Sequence, residues 1–304
     1  MVATVAPGER SQSEGGVSTV TAARVPRLAL VIGSGGVRSI AALGVAEVLW
    51  QAGYRPDLVV GCSAGAMFGA LLAMGHDAAS AVAVATSLWS ADLTRHRRWR
   101  AFPQMLMPRR FGFDADFCMR SDHAVMQRLQ AAFGDRRIED LPLPLRVTAS
   151  EAATGRTIVI GQGRLVDALR ASIALPFMFK PGTVDGRRLI DGFVSDPLPV
   201  GAAADADAII AVGFPVPMPS RIDGPSRLLA QLTSAMTNNL MEARLAEARA
   251  RGRPLLALQP GLPRRVGLFE TAAMPALVAA GRELARAELP AIHALLRLPL
   301  AKAA

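Results

Sequence analysis

Residues 28–74 read LALVIGSGGVRSIAALGVAEVLWQAGYRPDLVVGCSAGAMFGALLAM, and their succession of runs and turns decides the fold. Leu28–Ile32 is a short apolar run bounded by Pro26 and by glycines, the pattern of a buried strand. The turn Gly33-Ser34-Gly35-Gly36 follows, and residues 40–52 then carry helical spacing up to Gly53, which suits a C-cap. Residues 58–60 form a second apolar run, followed at once by Gly61-Cys62-Ser63-Ala64-Gly65. Residues 64–74 read as a buried helix that stops at Gly75. A β–loop–α–β–turn–α unit predicts parallel strands with helices on both faces of the sheet.

The alternation continues outward from this unit. Residues 145–151, 157–160, 188–190, 208–213 and 254–258 read as strands. Residues 166–174 read as a short helix ended by Pro176, and 269–293 as helical. Residues 225–251 read as a long helix with Met236, Leu240, Met241 and Leu245 on its apolar side. The expected fold class is α/β, a three-layer α/β/α sandwich around a mostly parallel sheet. One domain is expected over residues 25–304, after a flexible tail at 1–24.

Composition narrows the function classes. The chain has 304 residues, 51% hydrophobic and 19% charged, which supports a large core and excludes global disorder. No apolar run approaches the roughly 20 residues of a membrane-spanning helix. The first residues lack an apolar leader segment, so no secretory signal is expected. Cys62 and Cys118 make neither a disulfide framework nor a metal pattern, and the expected location is the cytoplasm, with a peripheral position on the inner membrane face as an extension. The formal net charge of +9 attracts anionic headgroups and nucleic acid alike, and nothing beyond the charge supports a nucleic-acid partner.

Three constellations carry chemistry. Gly61 to Gly65 matches G-x-S-x-G, in which glycines permit a sharp strand-to-helix turn that lifts the Ser63 hydroxyl clear of the backbone. The helix after Ser63 aims free N–H groups and its positive end at the same point. The glycines of the 33–36 turn expose consecutive N–H donors suited to an oxyanion, each worth roughly 3–4 kcal/mol in known cases. A nucleotide loop fails in detail, because Arg38 stands where G-x-G-x-x-G needs glycine and no Gly-Lys-Ser/Thr occurs. A tight turn with no function is the plain alternative. A base for Ser63 comes from Asp191-Gly192 or from one of four histidines, His76, His96, His123 and His293. Only His293 follows an acidic candidate in Ser…Asp…His order, and Asp191-Gly192 taken alone reads first as an ordinary turn.

Together these residues resemble the patatin-like phospholipases. The resemblance runs through Ser34-Gly35-Gly36-Val37-Arg38, the elbow Gly61 to Gly65, Ala171-Ser172-Ile173-Ala174-Leu175-Pro176, and Leu189-Ile190-Asp191-Gly192. It continues through Asp196-Pro197-Leu198-Pro199-Val200 and into the C-terminal part, covering residues 27–286. Departures are Ser34 and Ser39 in place of glycines, and Phe193 where the family has Gly or Ala.

The resemblance implies a phospholipase A or lysophospholipase type of lipid acyl hydrolase. Ser63 is then the nucleophile and Asp191 its base, without a histidine. N–H groups of Gly35, Gly36 and Val37 hold the oxyanion, and water releases an acyl-Ser63. Arg38 supports the loop, with a structural salt bridge as its expected contact. No metal or cofactor is required, and the implied partner is a lipid ester. The alternatives are a Ser–Asp–His triad esterase using His293, and a catalytically silent lipid- or protein-binding member of the same fold. Residues 89–120 mix arginines with Trp89, Trp99, Phe102, Met105, Phe111, Phe113 and Phe117, which suits a cap docking on anionic membrane; a solvated Arg-rich loop with core aromatics is the equal alternative.

Overall fold

The computed structural model describes residues 27–88, 101–261 and 266–297; the expected tail at 1–24, residues 89–100 of the expected cap, and His96 lie outside them. The chain begins with β1 (Leu28–Ile32), a 3-10 turn at Gly36–Ile40, α1 (Ala41–Gln51), β2 (Leu58–Cys62) and α2 (Ala64–Ala73). Next come α3 (Ala78–Leu88), α4 (Ala101–Leu106), α5 (Pro108–Phe111) and α6 (His123–Phe133). Then follow β3 (Leu145–Glu151), β4 (Thr157–Ile160), α7 (Leu165–Ser172), β5 (Gly182–Val184) and β6 (Arg187–Asp191). The chain closes with β7 (Ala208–Val212), α8 (Pro225–Ala250), β8 (Leu255–Leu258), α9 (Met274–Ala287) and α10 (Leu289–Leu296).

One eight-stranded sheet organises these elements. Its centre is five parallel strands in the order β3-β2-β1-β7-β8. β4, β5 and β6 extend it through antiparallel pairs beyond β3, so the sheet is mixed at that end. Alternate residues of the buried strands serve opposite faces, as the two-residue period of a strand requires. Leu28, Leu30, Ile32, Val59 and Ile210 join the larger core, and Ala29, Val31, Val60, Ile209 and Ala211 join the smaller core with Met241 and Leu245 of α8. Two cores on two faces make the three layers. α2 is buried on every side, which explains why its sequence is apolar all round.

The registers along β3 position the site. Thr148 pairs with both Cys62 of β2 and Val159 of β4, while Ala149 pairs with both Asp191 of β6 and Ile158 of β4. β4 therefore runs along one edge of β3, and β2 and β6 share the other edge, meeting end to end at Cys62 and Asp191. This brings together the ends of two strands about 130 residues apart in the chain.

Several boundaries differ from the sequence reading. The helix expected over 40–52 is preceded by a 3-10 turn, and the helix expected over 269–293 is two helices, with Pro290 in the first turn of the second. The strand expected to end at Ile190 includes Asp191. β5 gave no sequence signal, because three residues beginning with glycine carry no periodicity. Met236, expected on the apolar side of the long helix, is 71% exposed. Among the described residues no helix is long and apolar enough to cross a membrane.

α1 and α9 cross at bare backbone. A Cβ on Gly44 would come within 2.2 Å of the Val278 carbonyl oxygen, and one on Gly281 within 2.0 Å of that of Ala41. Gly281→Ala is therefore expected to lower stability by about 1–3 kcal/mol. It should shift the urea midpoint with the m-value unchanged; an unshifted midpoint would contradict this packing.

Candidate active site

Ser63 is the single residue between β2 and α2, with φ 55° and ψ −129°. A non-glycine residue in that region stores on the order of 1–3 kcal/mol, so its surroundings must hold it. Its N–H donates to Ser172 Oγ at 2.8 Å, and Ser172 Oγ donates to the Thr148 carbonyl at 2.7 Å. Its own carbonyl accepts the Ala66 N–H at 2.9 Å, opening α2. The flanking glycines are steric necessities. A Cβ at Gly65 would lie 2.5 Å from the carbonyl oxygens of Ile32 and Gly33, and one at Gly61 would lie 2.4 Å from Ala66 Cα.

The Ser63 hydroxyl donates to Asp191 Oδ2 at 2.7 Å. The other carboxylate oxygen, Oδ1, accepts the Phe193 N–H at 3.0 Å. The Asp191 backbone is fixed on both sides: its N–H donates to the Ala174 carbonyl, and its carbonyl accepts Ser150 Oγ at 2.9 Å. Asp191 is only 3% exposed. Burial pushes its pKa from the ordinary 3.8 up to about 7, against the opposing pull of the Phe193 N–H and the Ser63 hydroxyl. The bond from position 193 is a backbone bond, so a phenylalanine there leaves it intact.

The glycine turn is moored to both neighbours. Gly33 N–H donates to the Val212 carbonyl, and Ser34 N–H to the Pro197 carbonyl at 2.8 Å. Ser39 Oγ donates to the Gly33 carbonyl at 2.9 Å, so a serine closes the turn where a glycine was expected. Among the described residues the N–H groups of Gly35 and Gly36 have no hydrogen-bond partner. Val37 does not share this property: its N–H donates to the Leu268 carbonyl at 2.9 Å. Val37 therefore drops out of the expected set of three free donors, because a residue far along the chain already takes its N–H. Arg38 is buried and makes no ion pair among the described residues; its guanidinium donates to the carbonyls of Gly35 (3.1 Å) and Pro215 (2.6 Å). Its contacts are therefore carbonyls rather than the expected salt bridge.

The remaining candidates lie elsewhere. His293 packs its ring 5.5 Å from that of Tyr54, which precedes β2, whereas Ser63 follows it. His76 lies past the far end of α2, and His123 is exposed at the start of α6. Cys62, adjacent to Ser63, is fully buried, and burial and the Asp191 charge push its thiol pKa well up, which suppresses the nucleophilic thiolate. Among the described residues no three His, Cys, Asp or Glu side chains converge as metal ligands. A cavity of about 270 Å³ beside α8, lined by Asp196, Arg244 and Arg253, does not include Ser63 or Asp191. Ser172 is the supporting residue that periodicity alone does not reveal; its only sequence signal is its place in the 171–176 stretch.

Comparison with known proteins bears on the whole arrangement. The profile of the family described as Patatin-like phospholipase matches residues 30–204. An uncharacterized NTE family protein of Mycobacterium tuberculosis is 35% identical over 191 residues, 62% of this chain and 49% of the relative. A lysophospholipase NTE1 of Phaeosphaeria nodorum is 29% identical over 190 residues, 60% of this chain and 12% of the relative. The chain spans about half the length of the mycobacterial relatives it matches. Among solved structures, VipD of Legionella pneumophila aligns with TM-score 0.47 and 14% identity over 88% of this chain and 67% of that one.

Ser172→Ala removes the acceptor of the Ser63 N–H and leaves that part-buried donor unpaired. The expected loss is about 1–3 kcal/mol in stability, with a weaker turnover of any ester the site accepts. Urea unfolding and initial rates check both. Unchanged values in both would show that Ser172 does not hold the turn.

Proposed function

The chain belongs to the patatin-like phospholipase family, and on that premise we propose that it hydrolyses lipid carboxylic esters through a Ser63–Asp191 dyad, in the manner of a phospholipase A or lysophospholipase. The observation that carries this reading is the 2.7 Å bond from the Ser63 hydroxyl to a buried carboxylate. The carboxylate's pKa of about 7 suits a general base at neutral pH. Similarity to the fungal lysophospholipase supports the substrate class.

The chemistry closes without a histidine. Ser63 Oγ attacks the ester carbonyl carbon while its proton passes to Asp191 Oδ2. The carbonyl oxygen becomes an oxyanion that accepts hydrogen bonds from the N–H groups of Gly35 and Gly36, beside the positive end of α2. Collapse of the tetrahedral intermediate breaks the ester C–O bond, and the proton on Asp191 goes to the departing alcohol. The product is acyl-Ser63. Water then attacks this acyl group, gives its proton to Asp191, and collapse returns that proton to Ser63 and frees the fatty acid. The site geometry argues against a silent member of the fold, and the position of His293 against a triad.

Turnover of 4-nitrophenyl butyrate and of lysophosphatidylcholine tests the reading. Ser63→Ala and Asp191→Asn are each expected to lower kcat by about 10³-fold or more, and His293→Ala to leave it unchanged. Since the base works as the carboxylate, kcat/KM should fall about tenfold per pH unit below an inflection near pH 7 and level off above it. Full turnover in Ser63→Ala would contradict the proposal, and an inactive His293→Ala would restore the triad.

A further inference from the structure

α8 is 26 residues long, roughly 39 Å at 1.5 Å per residue. The strands beside it, β7 and β8, have five and four residues, about 17 Å at most. The packed face of the helix is buried at Met241, Leu245 and Ala248 in its second half and at Ser234 in its first. Asn238 fixes where the helix passes the end of β7. Its Oδ1 accepts the Val216 N–H at 2.7 Å and its Nδ2 donates to the Val216 carbonyl at 2.9 Å, just beyond the end of β7. The helix runs back toward the start of β8, so the residues before Asn238 extend past the carboxyl edge of the sheet. Ser63 sits at that same edge.

The overhang is apolar on one face. Leu228 is 48% exposed, Leu229 59%, Leu232 53% and Met236 71%. Their spacing of one, three and four residues places them along one side of the helix. No acidic residue occurs from Pro225 to Met241, and Arg221 and Arg227 stand at its start, with Asp223 as the paired acid of Arg227. A second exposed apolar group follows Ser172, which holds the Ser63 N–H. Phe177, 58% exposed, follows α7 next to Ser63 and packs edge-on against Phe117. The segment before Phe117 leads back to Leu106, 80% exposed, and to Arg109 and Arg110.

We propose that the overhanging first half of α8 is a docking element that seats the mouth of the Ser63 site on an anionic lipid bilayer. The pattern is that of an interfacial amphipathic helix, with leucines on one face and arginines at its margin. Charge complementarity selects the surface: both apolar groups carry arginines, and the chain's formal charge is +9. The choice of a lipid occupant rests on the lipid-ester reading of the site. Docking at this edge brings the scissile ester to Ser63 without the lipid leaving the bilayer for water.

The test uses the full chain and the variant Leu229→Glu/Leu232→Glu, whose changes fall on exposed positions. Co-sedimentation with phosphatidylcholine vesicles, with and without phosphatidylserine, is measured beside turnover of the soluble ester 4-nitrophenyl butyrate. The wild type is expected to pellet with the anionic vesicles, and the variant's partition coefficient to fall about tenfold or more. Its unfolding midpoint and soluble-ester turnover should be unchanged. Absent vesicle binding by the wild type, or equal binding by the variant, overturns the proposal. So does a wild-type dimer in sedimentation velocity that the variant abolishes, which assigns the face to a second copy. Vesicle binding lost in the variant, together with a wild type inactive on the soluble ester, supports docking and counts against the hydrolase reading alone.

Discussion

β3 offers one edge to two strands, and the rest of the site depends on where those strands meet. β2 arrives parallel and stops at Cys62, opposite Thr148; β6 arrives antiparallel and stops at Asp191, opposite Ala149. The hydrogen-bond ladder therefore sets the distance between the residue after Cys62 and the side chain of Asp191, before any side chain makes a choice. The 2.7 Å bond between Ser63 and Asp191 is the consequence. Slippage of β6 by one residue would turn Asp191 to the other face of the sheet.

The same junction explains the electrostatics. A strand end enclosed by α2, α7 and the Asp191 turn is dry, and desolvation raises the carboxyl pKa to about 7. Two hydrogen bonds, from Ser63 and from the Phe193 N–H, keep the charged form within reach at neutral pH. Burial alone would leave a neutral acid, and exposure would leave a weak base. Ser150 completes the support by bonding the Asp191 carbonyl and Ser195 Oγ, so the turn that follows Asp191 is tied back to β3.

Much of this was legible in the sequence because it is local. Gly61 and Gly65 flank Ser63 for a steric reason that acts within a few residues, and the runs at 28–32 and 58–60 announce buried parallel strands. Asp191 was legible only through its resemblance, since an Asp-Gly pair reads first as a turn. The misses are long-range. Leu268 takes the Val37 N–H from more than 200 residues away, and Pro215 takes the Arg38 guanidinium that seemed to need an acid. Met236 belongs to the apolar set of a long helix, yet five residues at about 100° each put it roughly 140° round the helix from buried Met241, while Ser234 on the packed face is buried. Periodicity reports which face of an element is apolar, not whether another layer reaches it.

The central claim is that Ser63 forms a covalent bond to the acyl carbon, activated by Asp191. Its most direct test is to trap the nucleophile with a fluorophosphonate and map the adduct by peptide mass spectrometry. One adduct is expected, on the peptide holding Ser63, formed far more slowly in Asp191→Asn and absent in Ser63→Ala. An adduct on another residue, or labelling that persists in Ser63→Ala, would contradict it.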